Sequence, residues 1–332
     1  VTNVGSLARW RDGEYAQVDR SAGMTLDIDV LGVQVSVNSC PVAWNDPSIF
    51  RMWQLDPIDG LRASARISAN CGEPGWKFDS RGGLEVRFGD SLPSEKSTPI
   101  FPAALFAAEI SRQRAGFFHT HAGGVVIGNS GILITGGSGA GKTVASLVLA
   151  SNDGVKFAGG DRCQIMVRDG RVSLYRDWAN MRLRSTSIAS SRTLIGLSWA
   201  PRIDKWLVEP SGWNRKLVVH ASELGVSRLR DVAEISEIYE VRIMQDADRV
   251  DVEQIGRQDA VYAMSTALND ISTGFLVILD DKDRPLLTPF YDTLQETALR
   301  RTELLRAVVD VPRFRITGSL KAVTDYIMAT SA

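Results

Sequence analysis

The sequence predicts a mixed α/β (α+β) fold with a β-rich N-terminal part, and three observations carry that expectation. Short alternations of apolar and polar residues dominate the first hundred positions, and a Pro/Ser/Thr-rich stretch, Pro93 to Pro102, closes them. From Val125 onward, strand-like and helix-like patterns take turns around a glycine-rich loop, the order expected of helices layered on a sheet. The 332 residues are 44% hydrophobic and 23% charged, the composition of a folded globular chain. Their number suits one large domain or two modest ones, and the natural cut falls near residue 100, giving parts 1–100 and 101–332.

In the first part Leu26, Ile28 and Val30 alternate with polar neighbours, Leu31-Gly32 interrupts, and Val33, Val35 and Val37 resume, a hairpin pattern. Arg62 to Ser68 and Leu84 to Phe88 read as further strands, expected to pair antiparallel. Trp44 and Trp53 suit either a core or a binding platform, and the core is the reading preferred. Ala103 to Arg114 has helical spacing. In the second part an apolar strand, Ile132 to Ile134, leads into the glycine loop and Val144 to Ala150 leads out as a helix. Gln164 to Val167 and Val172 to Tyr175 flank Arg168-Asp169-Gly170, an Asp-Gly hairpin turn. Helices are expected around Asp259 to Leu268 and Phe290 to Val309, then a strand at Arg313 to Ile316 and a closing helix at Ser319 to Met328.

Charge and cysteine content narrow the function. Lys and Arg number 38 against 39 Asp and Glu, and no run of like charge offers a track for a nucleic-acid backbone or an anionic membrane, so neither is an expected partner. Cys40, Cys71 and Cys163 are three in number and lack zinc-type spacing, which points to a reducing compartment. With no apolar leader core in the first residues and no long apolar stretch, the expected location is the cytoplasm.

The chemistry concentrates in Gly136-Gly137-Ser138-Gly139-Ala140-Gly141-Lys142-Thr143, which fits G-x-x-x-x-G-K-[ST] between a strand and a helix. Glycines permit φ > 0 and let main-chain amides approach phosphate oxygens, and the helix N-terminus adds partial positive charge. Lys142 would reach the β- and γ-phosphates, and the Thr143 hydroxyl would hold Mg²⁺. Asp161, at the end of the next predicted strand, is the candidate base for an acceptor hydroxyl, and its carboxylate could instead reach the Mg²⁺ shell. His121 could bind phosphate or relay a proton, or be a structural histidine packed under the loop, and His119, two residues earlier on the expected strand, would share its face. Without a third ligand a His-x-His metal site is not expected. Arg182, Arg184 and Arg192 form a basic cluster suited to an acidic substrate or to a solvated face. Cys163 reads as a core residue.

The run Phe117-Phe-His-Thr-His through Lys142-Thr143 resembles the catalytic domain of the HPr kinase/phosphorylase family, bacterial serine kinases. His121, fifteen residues before Gly136, stands at the family's histidine position. Val155-Lys-Phe-Ala-Gly-Gly-Asp161 looks like the family's strand ending in paired aspartates, with Gly160 in place of one acid. No later segment stands out as the family's glutamate- and arginine-containing signature. The resemblance implies a P-loop core of the phosphoenolpyruvate carboxykinase-like/HPr kinase fold, ATP and Mg²⁺, and transfer of the γ-phosphoryl group to a hydroxyl. The acceptor would be a peptide, a protein or a small molecule. A homo-oligomer stays open.

A rival reading rests on Gly274-Phe-Leu-Val-Ile-Leu-Asp280-Asp281. It has the form of a strand carrying the Mg²⁺-binding acid of P-loop ATPases, and equally of a plain strand with a polar turn. A nucleotide-sensing regulator without turnover is the third alternative.

Overall fold

A computed structural model describes residues 24–30, 33–39, 64–70, 72–78, 83–89, 100–160, 162–175, 180–184, 216–220, 225–244, 247, 249–273, 278–279, 282, 285–287 and 295–331. The chain is mixed α/β and divides into two units. One holds Val1–Ala115 and Thr273–Phe290, the other Gly116–Ser272 and Tyr291–Ala332.

In the first unit β1 (Met24–Val30), β2 (Val33–Ser39), β3 (Ser64–Asn70), β4 (Gly72–Phe78) and β5 (Leu84–Gly89) form a sheet in the order β1-β2-β3-β5-β4. The β1–β2 hairpin closes at Val30 opposite Val33. Val33, Val35 and Val37 are fully buried while Gln34 is exposed, the period of two that the valine alternation prescribes. The sheet is not antiparallel throughout, because β3 runs parallel to both β2 and β5. Parallel neighbours need a crossover of a dozen or more residues, and residues 40–63 supply that length before β3. Helix α1 (Ile100–Arg114) packs on β2 and β3, with Ala103 to Ala108 buried. It therefore belongs with the N-terminal unit, and the seam lies at 115/116 and not at 100. β16 (Ile278–Leu279) and β17 (Pro285–Leu287) pair with each other in a sheet of two within this unit.

The second unit is built on a nine-stranded sheet. Its members are β6 (Phe117–Thr120), β7 (Gly123–Ile127), β8 (Ser130–Thr135), β9 (Val155–Gly159), β10 (Cys163–Arg168), β11 (Arg171–Tyr175), β14 (Val232–Ile243), β15 (Asp251–Gln254) and β18 (Arg313–Gly318). The order is β6-β10-β11-β14-β8-β7-β9, with β18 on β14 and β15 on β18. The β10–β11 hairpin turns at Asp169 (φ 52°) and Gly170 (φ 74°), the pair of positive φ values for which Asp-Gly is suited. β12 (Asn180–Arg184) and β13 (Lys216–His220) form a separate pair.

The central strand β14 is parallel to β8 and to β18, so these three strands end at one edge. Their two faces carry different cores. On one, Ile132, Ile134, Tyr239, Val241 and Ile316 pack with Leu147 and Leu149 of α2 (Lys142–Ala150) and with Val323 and Ile327 of α5 (Leu320–Ser331). On the other, Leu133, Ile235 and Ile238 pack with Met264 and Leu268 of α3 (Arg257–Thr273) and with Leu304 and Val308 of α4 (Gln295–Val309). Among the described residues no helix is long and apolar enough to cross a membrane.

Candidate functional site

The glycine loop connects β8 to α2 at the C-terminal edge of the parallel strands, where open α/β sheets hold ligands. Gly136 (φ 142°), Gly139 (φ 82°) and Gly141 (φ 99°) all take positive φ, which side-chain-bearing residues resist. Two of them are also closed in from below. A Cβ on Gly136 would lie 2.7 Å from the Val241 carbonyl oxygen, and one on Gly141 would lie 2.4 Å from Ile243 Cγ1. The loop is tied down as well, since the Ile243 amide donates to the Ala140 carbonyl at 3.0 Å and the Ala140 amide to the Gly137 carbonyl at 3.2 Å. The end of β14 is thus the floor of the loop, and Gly137, Ser138 and Gly139 face solvent.

Lys142 opens α2 and is 4% exposed. Its Nζ donates to the carbonyl oxygens of Gly136 and Gly137 at 2.9 and 3.0 Å, so the ammonium curls back over its own loop. Thr143, half-buried, follows in the first helical turn. Amides at a helix N-terminus, a positive end of the helix dipole and a lysine ammonium together favour an anion.

The histidines occupy two different settings. His119 is buried on β6, opposite Gln164 of β10. β6 stops at Thr120, and the Ala122 amide donates to the Thr120 carbonyl at 2.9 Å, a three-residue turn centred on His121. The strand on which the shared face was expected thus ends before His121. His121 is half-buried, and its amide donates to the Ala267 carbonyl of α3 at 3.0 Å. Gly123, two residues on, pairs with Ile134 of β8, which brings His121 to the loop edge. Gly123 is there because β7 runs against α2: a Cβ would lie 2.0 Å from Ser146 Oγ.

β9 ends at Gly159, opposite Gly124 of β7, with buried Gly160 next. Asp161 lies outside the described residues, as do Asp280, Asp281, Arg192, Cys40, Cys71, Trp44 and Trp53 and the side chain of Arg182. Arg184 is exposed on β12, which pairs with β13 and is not a strand of the nine-stranded sheet. Of the strand expected before Asp280, Ile278–Leu279 is described as β16, which among the described residues pairs with β17. Cys163 is fully buried, and burial pushes its thiol far above the usual range, in keeping with a core residue.

One group of residues went unread in the sequence. Thr135, the residue before the loop, pairs with Glu240 of β14, and Glu240 pairs with Arg315 of β18. The Arg313 guanidinium, 1% exposed, reaches Glu240 Oε2 at 3.4 Å and Thr135 Oγ1 at 3.1 Å. Arg315 Nε donates to Glu240 Oε1 at 3.3 Å, and its Nη1 to Glu253 Oε2 at 3.1 Å. Burial lowers the proton affinity of Arg313 and the Glu240 carboxylate raises it again. In the sequence this group shows only as an acid within β14 and as Arg313 and Arg315 at alternate positions of β18.

Among the described residues no three His, Cys, Asp or Glu side chains cluster to hold a metal alone. Mg²⁺ does not require such a cage, since it is commonly held by one or two carboxylates with substrate phosphates and water, and the Thr143 hydroxyl and the Glu240 carboxylate are oxygen donors of the kind it takes.

A strand, a glycine loop floored by a neighbouring parallel strand, and a helix headed by a buried lysine define a class of site: an anion cradle at the edge of an α/β sheet. No family model matches the chain, and no curated protein does. Among solved structures it is similar to the HPr(Ser) kinase/phosphatase from Coxiella burnetii, at 17% identity over 41% of this chain and 72% of that one, with a TM-score of 0.23. A TM-score of that size does not define a fold, and the loop with its neighbours carries the functional reading.

Proposed function

We propose that the protein is an ATP-dependent kinase, similar to the HPr kinase/phosphorylase family, that moves the γ-phosphoryl group to a hydroxyl of a peptide, a protein or a small molecule. The observation that carries this reading is Lys142, buried and folded over the carbonyls of a glycine loop at a helix N-terminus. An ammonium so placed needs only to turn from carbonyl oxygens to phosphate oxygens to neutralise the charge that develops in phosphoryl transfer. Main-chain amides from Gly137 to Thr143 hold the polyphosphate. The Thr143 hydroxyl, Asp161 and Glu240 would hold Mg²⁺, which when bound would neutralise phosphate charge. Asp161 takes the proton of the acceptor hydroxyl, and His121 binds phosphate or relays that proton.

Incubation with γ-labelled ATP, Mg²⁺ and panels of seryl and threonyl peptides and hydroxylated metabolites tests the reading. Label is expected on an acceptor, and is expected to vanish in Lys142→Ala and Asp161→Asn. Release of free phosphate with no labelled acceptor would replace the kinase with an ATPase. Nucleotide binding with neither product would leave a regulator.

A further inference from the structure

We infer that Arg313, backed by Arg315, is a positioning residue that fixes the Glu240 carboxylate and Thr135, the residue from which the glycine loop departs, as one unit for holding the metal of a metal–nucleotide complex. This rests on the nucleotide-binding reading above and assigns a task to residues that the reading itself leaves unused.

Arg313 begins β18, and its side chain is buried at 1% exposure. It spends its two terminal nitrogens on three acceptors from three elements. Nη1 donates to the Ala260 carbonyl in the first turns of α3 at 3.2 Å. Nη2 donates to Thr135 Oγ1 at 3.1 Å and faces Glu240 Oε2 at 3.4 Å. Its Nε, buried, has no partner among the described residues. Thr135 passes its own proton to the Tyr239 carbonyl at 3.3 Å, so the hydroxyl accepts from Arg313 and donates to β14.

A guanidinium kept out of water with an unpartnered nitrogen is costly to retain as filler. Its geometry accounts for its retention: no other side chain offers a rigid fork that can join Thr135, Glu240 and α3. Arg315 holds the second Glu240 oxygen from the solvent side, with Glu253 balancing its charge. Each carboxylate oxygen has two lone-pair directions. With one taken by each arginine, the carboxylate is locked in orientation and still has directions open for a cation. The clamp also sets Glu240 against the residue from which the loop departs, so the acid and the phosphate cradle cannot shift independently.

The test is Mn²⁺ titration by electron paramagnetic resonance with a non-hydrolysable ATP analogue bound, alongside calorimetry of the analogue in EDTA. In Arg313→Lys, which keeps the charge and loses the fork, Mn²⁺ affinity is expected to fall about tenfold, with metal-free analogue affinity unchanged. Arg315→Gln, at a half-exposed site that tolerates substitution, is expected to show a smaller loss of the same kind, and it decides the matter if Arg313→Lys does not fold. Unchanged Mn²⁺ affinity in the folded variants overturns the clamp and leaves nucleotide binding standing. Equal loss of metal-free analogue affinity overturns it too, because that is a collapsed loop. A wild-type protein that binds no analogue removes both the clamp and the reading it rests on.

Discussion

The two faces of strands β8, β14 and β18 differ where they reach the glycine loop. On the α2/α5 face the inward positions stay apolar to the end: Ile132 then Ile134, Tyr239 then Val241, Ile316. On the α3/α4 face the same strands begin apolar, with Leu133 and Ile238, and then turn polar at Thr135, Glu240 and Arg315, with Arg313 buried among them. Both faces support the same loop, one by packing and the other by hydrogen bonds and charge. Packing sets where the loop sits, and the polar face sets which chemical groups stand at its edge.

The largest expected effect breaks the polar face. Glu240→Ala leaves the Arg313 guanidinium buried without its acid and should cost about 3 to 5 kcal/mol of stability, read by denaturant unfolding. Removing both charges in Glu240→Ala/Arg313→Met should return most of it. A double variant no more stable than the single one would mean that charge pairing is not what holds this face.

Ile134→Ala on the dry face should cost about 3 kcal/mol through the cavity it leaves, and no second substitution across the strands should restore it. Between the faces lies Gly141. Gly141→Ala places a methyl against Ile243 at a φ of 99° and should cost about 2 kcal/mol, with nucleotide affinity falling alongside; a variant of full stability and affinity would show that the loop is free of its floor.

The smallest effect concerns Cys163. Its thiol stays protonated in the fold because burial raises its pKa, whereas the unfolded chain loses that proton near the ordinary 9.0. The native state then holds more protons than the unfolded one, so stability falls as pH rises above that point. Cys163→Ala should show a flatter decline in the same pH range, and identical slopes would contradict the burial account.

Much of this was legible in the sequence, and the limits have physical causes. The valine alternation of β2, the Asp169-Gly170 turn, and the strand, loop and helix around Lys142 are local patterns, each set by residues within a few positions of one another. The parallel placement of β3 was not legible, since pairing direction depends on a crossover and not on alternation. Helix α1 looked like the start of the second part because it follows a Pro-rich stretch, yet its apolar residues pack on β2 and β3. Strand β14 escaped notice because Glu234, Glu237, Glu240 and Arg242 interrupt its apolar run. Their partners are remote in sequence: Glu234 is paired by Arg171 of β11, Glu237 accepts from Ser331 of α5, and Glu240 is reached by Arg313 and Arg315 of β18, more than seventy residues later. The acid beside the loop was therefore hidden for the same reason that it is useful.

The most direct test of the central claim is calorimetric titration of the protein with Mg·ATP, repeated on Lys142→Ala. Saturable one-to-one binding that is lost or greatly weakened in the variant is the predicted result. No heat with either adenine or guanine triphosphates, or equal binding by both proteins, would contradict the assignment of the glycine loop as a polyphosphate cradle.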